Sequence, residues 1–173
     1  DFHGDYTEGN AWQYTWHVFQ DPMRLAALMG GRERAIQKLD ALFATPPVRP
    51  MVAGAAGDAD SLEATFGQVG QYWHGNEPSH HIIYLYTVLG APAKAQALLR
   101  RIATQCYRPT PDGLCGNDDC GQMSAWYLFT AMGFYPVNPC GGEYVIGAPQ
   151  LPKVTLNLPD GKLFAVVAKN LSE

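Results

Sequence analysis

Two kinds of helical pattern alternate along this chain, and that alternation limits its architecture more than any other feature. Ala11 to Phe19 is apolar and aromatic. Asp21-Pro22 then supplies an N-cap and a first-turn proline for a short helix that stops at Gly30-Gly31. Arg32 to Phe43 differs in kind: Ala35, Ile36, Leu39, Leu42 and Phe43 share one face, with Arg32, Glu33 and Lys38 elsewhere. Ser79 to Leu89 is again apolar, Pro92 to about Tyr107 carries Lys94, Arg100 and Arg101 on a wet side, and Gln122 to Met132 returns to apolar texture. An all-apolar helix must be surrounded, whereas an amphipathic one covers a core and meets water. Pairs of this kind predict a two-layer helical arrangement, inner helices enclosed by outer ones.

The texture changes from Glu143 onward. Val154, Leu156 and Leu158 alternate with polar residues, Pro159-Asp160-Gly161 reads as a turn, and Leu163 to Ala168 reads as a returning strand. A lone hairpin is marginal in water, so these strands are expected to need further strands that the sequence does not contain. Thr45 to Pro50 and Gly54 to Asp60 read as breaks.

At 173 residues, with 47% hydrophobic content and a formal charge of −4, the chain has enough apolar material for one sizeable core. No lysine and arginine cluster suits a phosphate backbone, which argues against nucleic acid as a partner. No apolar run approaches the roughly 20 residues that span a bilayer. Cys106, Cys115, Cys120 and Cys140 are spaced too irregularly for a zinc site and read either as buried thiols or as one or two disulfides.

Polar residues of a catalytic kind gather in three segments: Tyr6 to Tyr14, His74 to His81, and Gly116 to Met123. Each is flanked by aromatic and small residues, and each meets a helix start, where a rigid frame commonly mounts an active site. Glu8 precedes Trp12, Tyr14 and Trp16. A carboxyl held against such surface has its charged form disfavoured and is suited to donate a proton; a first-turn acid favoured by the helix dipole is the plainer reading. Asp118-Asp119 can bind a cation, activate a water, or simply cap the next helix. Asn76-Glu77 offers the oxygen ligands that calcium prefers, whereas the adjacent His80 and His81 point in different directions on a helix and suit a polar network or the core.

Taken together, Tyr6 to Tyr14, His74 to Tyr86, Asp112 to Val137 (with GNDDCGQMSAWYLFTAMGFY at 116–135) and Glu143 to Pro149 resemble the family-92 glycoside hydrolases, exo-acting α-mannosidases. The resemblance implies a mainly α chain. Residues 1–140 would form the C-terminal part of an (α/α)6 toroid and residues 141–173 strands returning to a β-sandwich, the N-terminal part of the enzyme lying outside this sequence. It implies calcium-dependent hydrolysis of terminal α-linked mannose from glycans with inversion at the anomeric carbon. Glu8 matches the general acid and Asp119 the general base. Asn117 stands where some members carry a second acid, and Asp118 is the alternative source of that charge. Asn76 and Glu77 match the segment near the calcium, and Trp12, Gln13, His80 and Asn117 are expected to face the sugar. Export to the periplasm, cell surface or medium is expected. The alternatives are a glycan-binding module without catalysis, or a segment inert apart from the rest of its enzyme.

Overall fold

The protein is described by a computed structural model over residues 5–46 and 67–171. The breaks read at Pro47 to Pro50 and Gly54 to Asp60 lie outside the described residues. Helices α1 (Ala11–Tyr14), α2 (Pro22–Leu28) and α3 (Arg32–Ala44) come first. A small hairpin follows, β1 (Gln68–Val69) with β2 (Tyr72–Trp73). Next come two 3-10 turns and α4 (Leu85–Val88), then α5 (Pro92–Gln105) and α6 (Gln122–Met132). Strands β3 (Phe134–Tyr135) and β4 (Val145–Ile146) pair with each other, as do β5 (Lys153–Asn157) and β6 (Leu163–Val167). The architecture is therefore mixed, helical with small two-stranded sheets.

Several elements form where local chemistry predicts them. Asp21 caps α2 through a 2.9 Å bond from the Arg24 N–H, and Pro22 occupies its first turn. Helix α6 runs from Gln122 to Met132 and ends at Gly133, whose φ of +95° is left-handed backbone that favours glycine. The hairpin β5–β6 pairs Lys153 with Val167 through Asn157 with Leu163 and turns at Leu158 to Lys162.

Two expected helices are shorter or more broken than their apolar patterns suggest. Ala11 to Phe19 is helical only to Tyr14, where the Thr15 hydroxyl and N–H both bond back to the Ala11 carbonyl (2.5 and 3.1 Å). Side-chain back-bonding of this kind competes with continuation of the helix. Ser79 to Leu89 becomes the turns Glu77–Ser79 and Ile82–Tyr84 followed by α4. The winding here is the tighter i→i+3 kind, and the His81 ring reaches across to the Trp16 carbonyl at 2.7 Å.

The core is continuous across these elements. Trp16, Leu39, Leu42, Tyr72, Ile82 to Tyr84, Leu99, Ile102 and Trp126 are all buried. Ile82 to Tyr86 is enclosed on every side, while α3 and α5 bury only one stripe each (Ala35, Leu39 and Leu42; Ala95, Leu99, Ile102 and Ala103). The expected enclosure holds for Ile82 to Tyr86 but not for the other apolar runs: Gln122–Met132 buries Met123, Trp126, Thr130 and Ala131 and leaves Leu128 60% exposed, and of Ala11–Tyr14 only Gln13 is buried. No described helix is long and apolar enough to cross a membrane. None of the four cysteines is in a disulfide: Cys106 and Cys115 are buried, Cys120 and Cys140 exposed.

Candidate active site

The three polar segments meet. Asn76, buried, donates its side-chain N–H to the Glu8 carbonyl at 2.8 Å, tying the loop after β2 to the turn before α1. That turn is also braced by a reciprocal cap: Asn10 accepts from the Trp12 N–H at 2.8 Å, and Gln13 Oε1 accepts from the Asn10 N–H at 2.7 Å. From the other side, the Cα of Gly116 lies against the backbone of Gly75, where a Cβ would collide with the Gly75 carbonyl. Only glycine permits two backbones to approach this closely.

The Glu77 carboxyl feels two others at this junction. Burial, and then the facing carboxyls of Asp119 and Glu8, push the Glu77 carboxyl above its usual range, against a backbone hydrogen bond that pulls the other way. Its Oε2 is buried with no hydrogen-bond partner. Residues 8, 77 and 119, far apart in the chain, therefore share one electrostatic environment. Backbone strain marks the same place. Glu8 (φ +52°), Asp119 (+47°) and Cys120 (+57°) are three of the four non-glycine residues in left-handed backbone among those described. Such conformations cost about 1–2 kcal/mol per residue and cluster where surrounding structure over-determines them, often at functional sites.

The adjacent aspartates are separated by what they touch. Asp118 is committed to the start of α6, accepting from the Ser124 N–H at 2.9 Å and the Ser124 hydroxyl at 3.1 Å. Asp119, the next residue, faces Glu77 instead. Asn117 is exposed beside them.

The residues expected to face a sugar do not all do so. Gln13 is buried, bonded through Oε1 to Asn10 and through Nε2 to the Gln71 carbonyl. His80 is 1% exposed with both ring nitrogens engaged, by the His74 carbonyl (2.9 Å) and the Gln122 amide (3.1 Å). Both are internal supports in this chain, because satisfied buried polar groups have no bond to offer a ligand. Trp12 is half-buried beneath the Lys38 ammonium, 5.9 Å from its ring centroid. Glu8, expected against apolar surface, is exposed.

Behind the junction lies a polar chain whose direction was not legible in the sequence. Tyr72 Oη and His74 Nδ1 are 2.8 Å apart, His74 Nε2 and Tyr107 Oη 2.8 Å, and Tyr107 donates to the Met123 carbonyl at 3.1 Å. Burial, with the charge of His80 as a lesser cause, holds the His74 ring well below its usual range, so it is neutral. One proton order satisfies the chain: Tyr72 donates to Nδ1 and Nε2–H donates to Tyr107. His74 opens one of the three polar segments, but Tyr72 and Tyr107 carry no sequence signal that sets them apart from core tyrosines.

A cation would find hard oxygen donors at this junction, the orphaned Glu77 Oε2 and the remaining Asn76 oxygen, which suit calcium and offer no thiolate or imidazole. Among the described residues, no three His, Cys, Asp or Glu side chains form a metal-binding group by themselves. A six- to eight-coordinate ion would also need backbone carbonyls, water or ligand hydroxyls.

The whole of residues 1–173 matches the glycosyl hydrolase family 92 catalytic domain. The chain belongs to glycoside hydrolase family 92. Its structure is similar to a family-92 α-mannosidase from Bacteroides thetaiotaomicron solved with mannoimidazole, at TM-score 0.82 and 43% identity over 98% of this chain and 21% of that one. It is similar also to an inverting family-92 mannosidase of the same organism, at TM-score 0.79 and 44% identity over 99% of this chain and 23% of the other. A secreted glycosidase of uncharacterised activity from Arthroderma benhamiae is 28% identical over 152 residues, 88% of this chain and 16% of its own length. The family-92 chain therefore spans about a fifth of the solved enzymes it resembles (21% and 23%).

Proposed function

We propose that this family-92 segment supplies the acid, the base and part of the cation site of an α-mannosidase that releases terminal α-linked mannose from glycans with inversion. The observation that carries the reading is the meeting of the three loops that bear Glu8, Glu77 and Asp119, with left-handed backbone at Glu8 and Asp119.

In this reading Glu8 protonates the departing glycosidic oxygen and Asp119 takes a proton from the attacking water. An inverting pair needs its carboxyls roughly 6.5–9.5 Å apart to admit that water. Asp118 is engaged by the N–H and hydroxyl of Ser124, which favours Asp119 over its neighbour as the base. Asn76 and Glu77 would hold calcium, which when bound engages mannose hydroxyls and favours a distorted sugar ring. Asn76 fixes the turn carrying Glu8, and Gly116 keeps the loop carrying Asp119 seated on the loop carrying Glu77.

Residues 1–140 are assigned to the C-terminal part of an (α/α)6 toroid and residues 141–173 to strands of a β-sandwich, the remaining helices and strands coming from elsewhere in the same polypeptide. The half-buried α3 and α5, the enclosed run Ile82 to Tyr86 and the separate β5–β6 hairpin support this. Export to periplasm, cell surface or medium accords with a glycan substrate and with the secreted fungal relative. A glycan-binding module without catalysis is disfavoured because both Glu8 and Asp119 are present.

The deciding experiment is mannose release from an α-mannoside by the full-length polypeptide, with calcium and then with excess EDTA, beside Glu8→Gln and Asp119→Asn. Calcium-dependent release abolished by either substitution is the expected result. Release that survives both substitutions removes the acid–base assignment, and its absence from folded protein removes the hydrolase reading.

A further inference from the structure

The Asp119 backbone is held in an unfavourable conformation, and something must hold it there. Asp119, Cys120 and Gly121 have φ of +47°, +57° and +92° in succession. Gly121 stands at the cap position of α6 and makes no side-chain cap bond. Asp118 secures the turn from the N-terminal side through Ser124. On the C-terminal side is Gln122, whose N–H donates to the Asp119 carbonyl at 3.2 Å and whose side-chain amide reaches His80 Nδ1 at 3.1 Å.

The direction of that last bond is fixed by the other side of the ring. His80 Nε2 lies 2.9 Å from the His74 carbonyl, which can only accept, so Nε2 carries the proton and Nδ1 offers its lone pair to the Gln122 N–H. The ring itself cannot drift: it stacks on His74 at 4.6 Å, and the Trp126 indole N–H holds the His80 carbonyl at 3.1 Å. His80 also sits on the turn that starts at Glu77, its N–H bonding the Glu77 carbonyl at 3.0 Å. A closed path therefore runs from Glu77 through His80 and Gln122 to Asp119, joining the two facing carboxyl residues behind the junction.

We propose that Gln122 is a positioning residue: docked on the buried His80, its amide holds the strained Asp119–Gly121 turn so that the Asp119 carboxyl stays opposite Glu77. It acts through His80 and does not touch substrate. The consequence for turnover rests on the reading of Asp119 as the base; the docking itself does not.

The test uses the full-length polypeptide carrying Gln122→Met, which keeps length and volume but cannot donate, with Gln122→Leu in its place where the methionine variant does not fold. Tyr135→Phe removes only the second partner of the amide, at 3.2 Å. Hydrogen exchange of the backbone over residues 117–124 and steady-state mannose release are measured together. The expected result is faster exchange over 117–124, with kcat down about 10- to 100-fold and KM within about twofold, since small misplacements of a catalytic group cost rate on this order. Tyr135→Phe is expected to leave kcat within about twofold. Unchanged exchange in folded Gln122→Met overturns the docking. Faster exchange with unchanged kcat overturns the positioning role, and an equal loss in Tyr135→Phe transfers the hold to that residue and overturns the assignment to His80. A parent protein that releases no mannose, yet shows the faster exchange, supports the docking and refutes the mannosidase reading instead.

Discussion

At Asp118 and Asp119 two identical side chains, adjacent in sequence, meet different partners, and the difference is measurable. Asp118 bonds both the N–H and the hydroxyl of Ser124, so Asp118→Ala is expected to cost about 1 kcal/mol in denaturant unfolding, the usual cost of a lost helix cap. Asp119→Asn is expected to leave stability unchanged or slightly higher while abolishing turnover. It removes a charge facing Glu77, and asparagine tolerates left-handed backbone well. Gly116 gives a third residue-scale prediction. A Cβ there meets the Gly75 backbone, which cannot swing aside as a flexible side chain would, so Gly116→Ala is expected to destabilise by roughly 1–3 kcal/mol and to lower kcat by separating the two loops. Of these roles, the capping function of an aspartate before a helix was legible in the sequence. Which aspartate performs it was not, because that depends on where Ser124 comes round on the first turn.

Among the elements, the run from Glu77 to Val88 carries the most unusual chemistry, with His80 and His81 both buried inside it. Burial is the leading cause that lowers each ring to about 4, partly opposed by hydrogen bonds to the His74 and Trp16 carbonyls. A histidine whose folded value is depressed contributes stability that is complete above its unfolded value near 6.5 and is lost as pH falls toward 4. Between pH 6.5 and 5 each ring is expected to withdraw roughly 1.5 kcal/mol, and thermal melts across that window should show Tm falling with pH. His81→Gln, which keeps a donor for the Trp16 carbonyl, should flatten the slope only in part, since the buried His74 and His80 rings still titrate; an unchanged slope would exclude His81 as a source. The apolar pattern made this run readable as buried. It did not reveal the 3-10 winding, nor that the His81 ring reaches to the Trp16 carbonyl on another element.

For the whole molecule, the distribution of exposed apolar surface is the main physical fact. Ile146 (71% exposed), Leu163 (67%), Leu128 (60%), Tyr144 and Val167 (both 58%) face outward. Surface of this kind calls for a covering partner. The 173-residue segment by itself is therefore expected to self-associate in light scattering, and the full-length polypeptide to remain monodisperse; a monodisperse segment would argue that these faces are natural surface.

Helix pairing, the α2 cap, the extent of α6, the turn at Leu158 to Lys162 and the three polar segments all follow from near-neighbour chemistry, and periodicity and turn residues report that chemistry directly. Their meeting does not. Glu8, Glu77 and Asp119 come together because Asn76 reaches the Glu8 carbonyl and Gly116 lies on Gly75, contacts between loops far apart in the chain. The inward placement of His80 and Gln13 has the same origin: a polar side chain becomes support or ligand-facing according to which partners the tertiary structure sets beside it. The sequence determined which residues were available for chemistry. Packing decided which of them face one another, because that depends on contacts between residues distant along the chain.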